Sequence, residues 1–522
     1  MRVAPATVLA RPLPPTERVA DTPVLRSKHA SAGKVMAAAT FAMAGASALQ
    51  AVLYLRAFGI NARTDGFFAA LALYAIFGTF SQSLRVSSPP LLVGAQPRVS
   101  GPQFGFALGA IALPVLIATV PLAGHVSALL APGLGHAARH VTERALPILG
   151  VAMILQLWAA GGATVLAVRS RFHSIAAAYG AGALAGLSSF LAVERTAGLL
   201  TLAWSMLAMA VVTLAVILLG LRRSDGAVQA ARPTGALRPV RLLACALLIL
   251  GRTGIYLAFN GLYLITLAFA GHYHQGDATI LSYAYLFVSY IVAGTGFVLG
   301  MARVADMTRG ARSEWPDILS GTVPTGFRYA MLLSAPAVAG LVAFGAPLVG
   351  SLLPSSLPAS QVAALQQSAL LLAPWLIAAQ LTSLLLPVMF ALGRAVIVNV
   401  CAPILVAAQL TVTALIGTVF GLSGVVGAMC VAPVAFVAFM LILEGGNELP
   451  RLVSELVRDG IRFVTLAVAS FGGAYVVALA VPGGVARSLV CGLLGTVGYA
   501  VLLQATAGEQ LQLLLKRLPT AP

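Results

Sequence analysis

A single arginine interrupts an apolar run that is long enough to cross a membrane. Arg252 lies within residues 240–270, roughly 16 Å from the start of the run at 1.5 Å per residue. Charge is costly inside a bilayer, so such a residue usually faces a cavity or a partner. Two interpretations stay open: a cavity-facing cation that meets an anionic group of a substrate, or an arginine satisfied by carbonyls and hydroxyls of neighbouring helices. Asn260 lies eight residues further on, close to the same helical face, and is expected to share such a cavity.

Acidic residues are scarce along the chain. There are 15 of them, and only Asp65 is expected to come near a membrane span, at the outer start of the second. Antiporters coupled to protons or sodium usually need a buried carboxylate, and a cationic substrate needs a counter-charge. The lack of acidic residues at mid-depth in the predicted spans therefore favours an anionic substrate. Such a substrate would be moved by the membrane potential or by its own gradient.

Gln50 belongs to a short polar stripe in the first apolar run. Ser47 and Tyr54 stand at helical neighbour positions to it. The stripe fits a helix-packing seam and a substrate contact equally well. Gln50 is therefore kept as a cavity candidate.

Two histidine pairs have spacings that occur in metal sites. His272 and His274 stand beside Asp277, and His136 and His140 are four residues apart. Both pairs fall in predicted outer loops without a defined third ligand. This favours solvent-exposed loop histidines over a metal site. The four cysteines lie inside apolar runs without metal or redox spacing. The sequence predicts no metal site and no cofactor.

The composition is that of a membrane protein. Apolar types make up 59% and charged types 9% of 522 residues, whereas soluble domains have about 45–50% and 25%. Disorder is excluded because it requires low hydrophobicity. The net charge of +17 would suggest nucleic acid in a soluble protein; here its distribution across a membrane is the first question, and no nucleic-acid partner is expected.

Apolar stretches of about 20 residues are candidates for membrane spans, and the sequence contains fourteen. They predict an all-α polytopic membrane protein. The predicted spans are 35–58, 66–84, 103–130, 145–168, 174–193, 197–221, 240–270, 278–302, 328–353, 363–391, 396–417, 422–443, 461–481 and 487–507.

The basic residues predict the orientation of these spans. If the N-terminus is cytoplasmic, 25 of the 32 basic residues lie inside, six lie outside, and Arg252 lies within a span. This bias follows the positive-inside rule. It predicts an even number of spans with both termini in the cytoplasm.

Of the three longer polar interruptions (222–239, 303–327 and 444–460), the first and the last divide the spans into groups of six, six and two. Two six-span blocks have the same orientation, which is typical of a parallel repeat. The predicted organisation is a cytoplasmic tail (1–34), an N-lobe (35–221), a linker (222–239), a C-lobe (240–443), a second linker (444–460), two extra C-terminal helices (461–507) and a C-terminal tail (508–522).

The segment LRAFGINARTDGFFAALALYAIFGTFSQSL, residues 55–84, holds several motifs in order. It resembles the first hairpin of MurJ-type lipid II flippases, the MviN family. That family shows a basic residue with Phe-Gly, then a TDAFF-like motif, and later Phe-Ser-Gln. The matching residues are Arg56, Phe58, Gly59, Thr64, Asp65, Phe67, Phe68, Phe80, Ser81 and Gln82; further matches are LLAPGL (129–134), Arg171 with Phe172, and SYAYLF (282–287).

The resemblance implies a member of the MOP (multidrug/oligosaccharidyl-lipid/polysaccharide) exporter superfamily. Such proteins have two six-helix lobes around a central cavity, and the MurJ type adds two helices. Members of the MurJ-type family move undecaprenyl-linked peptidoglycan precursor to the outer leaflet by alternating access. The substrate-binding candidates in the cavity are Arg252, Asp65, Arg56, Gln50, Asn260 and Gln82.

The chain departs from the family at its cavity arginines. Ala44 and Gln50 stand where the first span of the family carries arginine, the doubled arginine before Phe-Ser-Gln is missing, and Tyr285-Leu286 replaces an Asp-Arg pair. These arginines are expected to hold the pyrophosphate. The resemblance therefore supports the fold more strongly than it supports lipid II as the substrate. Arg252 is expected to replace the missing arginines in part.

The preferred hypothesis is an alternating-access flippase for an anionic lipid-linked glycan in the bacterial inner membrane. The substrate would be lipid II or another polyprenyl-linked saccharide, and the protein is expected to be a monomer near glycan-assembly enzymes. The alternative is a multidrug or metabolite antiporter of the same fold. A membrane glycosyltransferase using Asp65 is a third hypothesis, but such enzymes usually need large outer domains, and the outer loops here are short.

Overall fold

The computed structural model describes residues 43, 45–92, 101–130, 132–169, 171–223, 239–307, 315–352, 358–391, 394–482 and 484–517. The predicted N-terminal tail, position 44, residues 224–238 of the first linker and the last five residues lie outside this part of the chain. The described part is almost entirely helical, as the apolar runs predict.

The first lobe contains the helices that precede residue 224. Its elements are α1 (45–58), α2 (Ala62–Ser87), α3 (Pro89–Leu92), α4 (Gly101–Thr119), α5 (Ala123–Leu130), α6 (His136–Val168), α7 (Phe172–Ala197), a 3-10 turn (Gly198–Leu200) and α8 (Thr201–Arg222).

The second lobe and the C-terminal pair follow. Their elements are α9 (Pro239–Ala270), α10 (Asp277–Met307), α11 (Trp315–Leu352), α12 (Ala359–Leu371), α13 (Ala373–Ala391), α14 (Ala395–Gly445), a 3-10 turn (Gly446–Glu448), α15 (Leu449–Ala478) and α16 (Gly484–Arg517).

Fourteen membrane crossings are confirmed once the turns inside long helical stretches are counted. By length and composition, the described residues hold eight helices that can span a membrane, or up to ten with two bent pairs. Two of the eight are double crossings: residues 172–222 turn at 198–200, and α14 turns at Gly421, where φ is 58°. The first helix and α10 supply the last two crossings.

Two predicted spans are bent. The predicted span 103–130 consists of α4 and α5, which meet at an angle of 83° after Thr119. The predicted span 363–391 bends by 41° between α12 and α13. Each break has a nearby proline, Pro121 or Pro374, which removes a backbone donor from the helix ladder.

Equivalent helices pack together in the two lobes. In the N-lobe α2 packs on α6, and in the C-lobe the equivalent α10 packs on α12 and α13. Likewise α6 packs on α8, and α13 packs on α14. The repeated pattern is that of two six-helix lobes in parallel repeat, followed by the α15–α16 pair.

The α15–α16 pair is attached to α11 of the C-lobe, where Phe344 and Phe471 stack with ring centres 6.2 Å apart. Nearer the predicted inner face, Arg328 Nε donates to Asp459 Oδ2 at 2.6 Å, and Asp459 is buried. The expectation that Asp65 is the only acid near a span is therefore wrong. The predicted linker 444–460 is largely helical, because Leu452, Leu456 and Asp459 form one buried stripe from the first turns of α15.

Candidate transport site between the lobes

The two lobes are tied together by one carboxylate at the start of α2. Asp65 Oδ2 accepts the Gly276 N–H at 2.6 Å, and Oδ1 accepts the Thr279 N–H at 2.7 Å and the Thr279 hydroxyl at 2.6 Å. These donors belong to the N-terminus of α10, where backbone N–H groups lack helical partners and the helix dipole favours an anion. Asp65 of the N-lobe thus caps a helix of the C-lobe, and the three hydrogen bonds are called the clasp below.

The local sequence fixes the position of this carboxylate. The Asn61 side chain accepts the backbone N–H groups of Arg63 and Thr64, and Thr64 Oγ1 accepts the Asn61 N–H at 2.9 Å. This reciprocal capping starts α2 one turn before Asp65. The first turn of α2 therefore presents Asp65 towards α10 with little freedom.

Gly276 is required by its backbone on the other side of the clasp. Its φ is +96°, and a Cβ there would lie 2.6 Å from Ile60 Cγ2. Only glycine adopts this conformation without strain and also leaves room for the other lobe. The close approach brings the Gly276 N–H within reach of Asp65.

The connections around the clasp meet at one membrane face. A Cβ at Gly133 would lie 2.7 Å from the His272 ring, and one at Gly271 would lie 2.9 Å from Leu134 Cδ2. These residues belong to the loops that the basic-residue bias predicts to lie outside. This surface is called the predicted outer face, and the two lobes are in contact across it.

An aromatic layer lies directly below the clasp. Phe68 of α2 contacts Tyr283 of α10 edge to face at 4.9 Å, and Tyr285 stacks on Tyr263 at 4.0 Å. All four side chains are buried. The Phe68–Tyr283 contact joins the two lobes, and the Tyr285–Tyr263 stack packs α10 on α9 behind it.

A second polar contact joins the lobes much deeper. Thr79 Oγ1 donates to Asn260 Oδ1 at 3.1 Å, and Asn260 Nδ2 donates to the Tyr256 carbonyl of its own helix. Fourteen helical residues separate Asp65 from Thr79, about 21 Å along α2. The lobes therefore meet along α2 and α9 well below the clasp, and Asn260 lies at their interface.

Arg252 lies on α9 at the level of a polar contact with α14 of the same lobe. The Asn399 amide of α14 donates to the Gly251 carbonyl, and Asn399 Oδ1 is close to Gly254. Arg252 is half-buried, and it takes part in an interaction of its own. Asn260 lies eight residues further along α9, and its side chain contacts Thr79 of α2. Arg252 and Asn260 therefore have different surroundings.

The remaining sequence candidates lie elsewhere. Gln50 is buried, and its amide lies against Gly186 of α7, inside the N-lobe. Arg56 is exposed at the end of α1 that leads to the predicted outer face. The Gln82 side chain is outside the described residues, although its backbone is part of α2. The structure thus brings Asp65 and Asn260 to the interface between the lobes.

The histidine pairs have other surroundings in the structure. His272 Nδ1 lies 2.8 Å from the Ala268 carbonyl, and His274 pairs with Asp277 at 3.4 Å. Among the described residues no group of three or more His, Cys, Asp or Glu side chains is arranged to hold a metal ion.

Gly66 packs the start of α2 against α6, and its replacement by alanine is expected to destabilise the protein. A Cβ there would overlap the backbone carbonyl of Ala138, and Thr142 Oγ1 donates to the Gly66 carbonyl at 2.7 Å. Since backbone atoms cannot rotate away, we expect a loss of about 1–3 kcal/mol, measured as earlier thermal unfolding in detergent. The control is Gly78→Ala on the same helix, where a Cβ meets no atom within 4 Å. Equal unfolding temperatures for both variants would contradict this packing.

Comparison with solved structures gives the fold a wider context. The chain matches a structure of the lipid II flippase MurJ in an inward closed conformation with a TM-score of 0.67 and 12% identity, over 90% of this chain and 99% of that chain. It matches a eukaryotic MATE transporter with a TM-score of 0.54 and 15% identity, over 84% and 99% of the two chains. An outward-facing multidrug resistance MATE transporter of the MOP superfamily matches with a TM-score of 0.54 and 14% identity, over 81% and 97%.

At the level of sequence, no protein-family model and no curated protein matches the chain. The structural likeness therefore concerns the fold: this is a multi-pass membrane protein with the fold of MurJ and of the MOP-superfamily transporters. The predicted resemblance is confirmed at that level.

Proposed function

We propose that this protein is an alternating-access flippase that moves an anionic lipid-linked glycan across the bacterial inner membrane. The observation that carries the proposal is the interface between the lobes, which is closed by a polar clasp at one membrane face in a fold shared with a lipid II flippase. In alternating access, the two faces of such an interface open in turn.

The clasp is suited to reversible closure. It consists of hydrogen bonds between one carboxylate and a helix N-terminus, and water can replace every donor when the lobes separate. The aromatic layer below it adds contact area without fixed hydrogen bonds across the lobes. An opening motion at the predicted outer face therefore breaks a small and defined set of bonds.

The charges of the described residues favour an anionic substrate. The buried carboxylates are Asp65 and Asp277 near the predicted outer face and Asp459 near the opposite one, and each has a hydrogen-bond partner. Arg252 is the cation in the middle of α9, and phosphate is a strong acceptor for arginine. A lipid-linked saccharide carries phosphate next to its prenyl chain, so its charged group would cross the membrane past α9.

We further propose that both termini are cytoplasmic and that the protein acts as a monomer close to glycan-assembly enzymes. The positive-inside bias supports the orientation. The missing family arginines leave open which glycan is carried, so lipid II and other polyprenyl-linked saccharides are separate arms of the test. An antiporter of the same fold remains the alternative, in line with the MATE structures.

The first experiment is complementation of a bacterium whose own lipid II flippase can be depleted. Rescue of growth would identify lipid II as a substrate. Failure to rescue, with membrane insertion verified by fractionation, would exclude lipid II. The purified protein is then placed in proteoliposomes with a fluorescent polyprenyl-diphosphate disaccharide, and its transfer is followed by quenching from one side. Absence of transfer for this probe and for labelled lipid II would overturn the flippase proposal.

A further inference from the structure

A cleft of about 410 Å³ opens on the predicted outer face within the N-lobe, apart from the interface between the lobes. It lies between the first turn of α2, the first turns of α6 and the 3-10 turn before α8. Its ionisable lining residues are Arg63, His136, His140 and Arg144, and its apolar wall includes Leu199 and Leu200. All four ionisable groups are of basic type.

The arrangement of these side chains follows from the helix geometry. His136, His140 and Arg144 are spaced by four residues, so they form one row along α6. Arg63 approaches the same space from α2. The row ends at the N-terminus of α6, where Gly135 provides no side-chain cap. Backbone N–H groups at such a terminus add positive potential to that of the basic side chains.

Among the described residues, no acidic side chain lines this cleft. Neither Arg63 nor Arg144 has an ion-pair partner among the described residues. The nearest acid on α6 is Glu143, which lies against Gly124 of α5 instead of lining the cleft. Two of the six arginines predicted to lie outside thus converge on one space, although such arginines oppose the positive-inside bias.

We infer that this cleft binds a phosphate group. Paired arginines and a helix N-terminus are the donors that proteins use for phosphate oxygens. Trp204 on α8 follows the apolar wall residue Leu200 by four residues and is 45% exposed, and tryptophan is enriched at membrane–water interfaces. The phosphate can therefore come from the headgroup of an anionic lipid in the outer leaflet or from a soluble phosphate compound.

The test uses binding alone and is independent of transport. Purified full-length protein is titrated with inorganic pyrophosphate by calorimetry after delipidation, and retained phosphatidylglycerol is counted by native mass spectrometry. The Arg63→Gln/Arg144→Gln double variant is expected to weaken pyrophosphate binding at least about tenfold, because each charge-assisted contact contributes more than a neutral one. The control is Arg139→Gln, since Arg139 is an exposed arginine of the same helix that donates to the Pro132 carbonyl and does not line the cleft.

A second variant guards against misfolding. Ala137→Trp keeps every charge but fills the cleft from an exposed position of its lining, so it is expected to abolish binding with an unchanged elution profile. Loss of phosphatidylglycerol in both cleft variants would identify a lipid headgroup as the ligand; loss of pyrophosphate binding alone would identify a soluble phosphate. Binding of both probes at wild-type strength by both cleft variants, or no binding of either by the wild type, would overturn the inference.

Discussion

Replacing Asp65 with asparagine is expected to open the predicted outer face and to reduce transport at least about tenfold, since hydrogen bonds to a charged group contribute about 1.5–3 kcal/mol each. Asparagine has the same shape, but its amide nitrogen would face the N–H groups of Gly276 or Thr279. The clasp would lose its charge and at least one acceptor. The population would shift away from the closed arrangement, because that state alone contains the bonds.

The opening can be measured with spin labels on cysteines introduced at Thr196 and Gln275. Both positions are exposed at the predicted outer face, one in each lobe, and the four native cysteines would first be replaced by alanine. The distance distribution should move to longer values in Asp65→Asn. The matched control is Asp277→Asn, because Asp277 accepts the His274 N–H within its own lobe. A distribution that stays unchanged in Asp65→Asn would show that the clasp does not hold the lobes together.

Removing the charge of Arg252 is expected to abolish transport while membrane insertion stays normal. An arginine in the middle of an apolar helix disfavours insertion by a few kcal/mol, so alanine should insert at least as well. The transported phosphate would lose its cationic contact, and a charge-assisted hydrogen bond is about twice as strong as a neutral one. The proteoliposome assay should therefore show little or no transfer, at least about tenfold below the wild-type rate.

The control for Arg252→Ala is Asn399→Ala at the same level of α9. Asn399 donates to the Gly251 carbonyl, so its loss weakens the packing of α9 on α14 without removing a charge. We expect Asn399→Ala to lower thermal stability with smaller effects on transfer. Arg252→Lys should retain part of the activity if charge matters more than the planar geometry. Transfer at the wild-type rate by Arg252→Ala would eliminate the cavity-cation interpretation.

The number of spans and their division into lobes could be predicted because those signals are local. An apolar run of span length and a basic inner loop are both visible within about 30 residues of sequence. The candidate Asp65 could also be predicted from local sequence, because it is an acidic residue beside an apolar run. The bend after Thr119 is marked only by Pro121, and many membrane helices continue through proline.

The partners of the candidate residues could not be predicted. Asp65 and its donors Gly276 and Thr279 are 211 and 214 residues apart in sequence, and their contact depends on how two lobes meet. Gln50 was equally compatible with a packing seam, and the structure places it against α7 because Gly186 leaves room for its amide. The sequence places Asp459 in a loop because the charged residues around it obscure the buried stripe of α15.

Helix α9 packs against α14 of its own lobe and against the N-lobe, and the two sets of contacts are of different kinds. Towards α14 they include Asn399 on Gly251 and Gln409 near Thr266 at 3.3 Å. Towards the N-lobe Ile249 and its neighbours pack against apolar side chains such as Phe80 and Leu84, and the Thr79–Asn260 hydrogen bond adds a polar contact. Hydrogen bonds prefer one register, whereas apolar surfaces tolerate sliding. We therefore expect the N-lobe side of α9 to slide with little resistance. Most of the barrier to a rocking motion should then come from two polar contacts that are about 20 Å apart along α2, the clasp and the Thr79–Asn260 hydrogen bond.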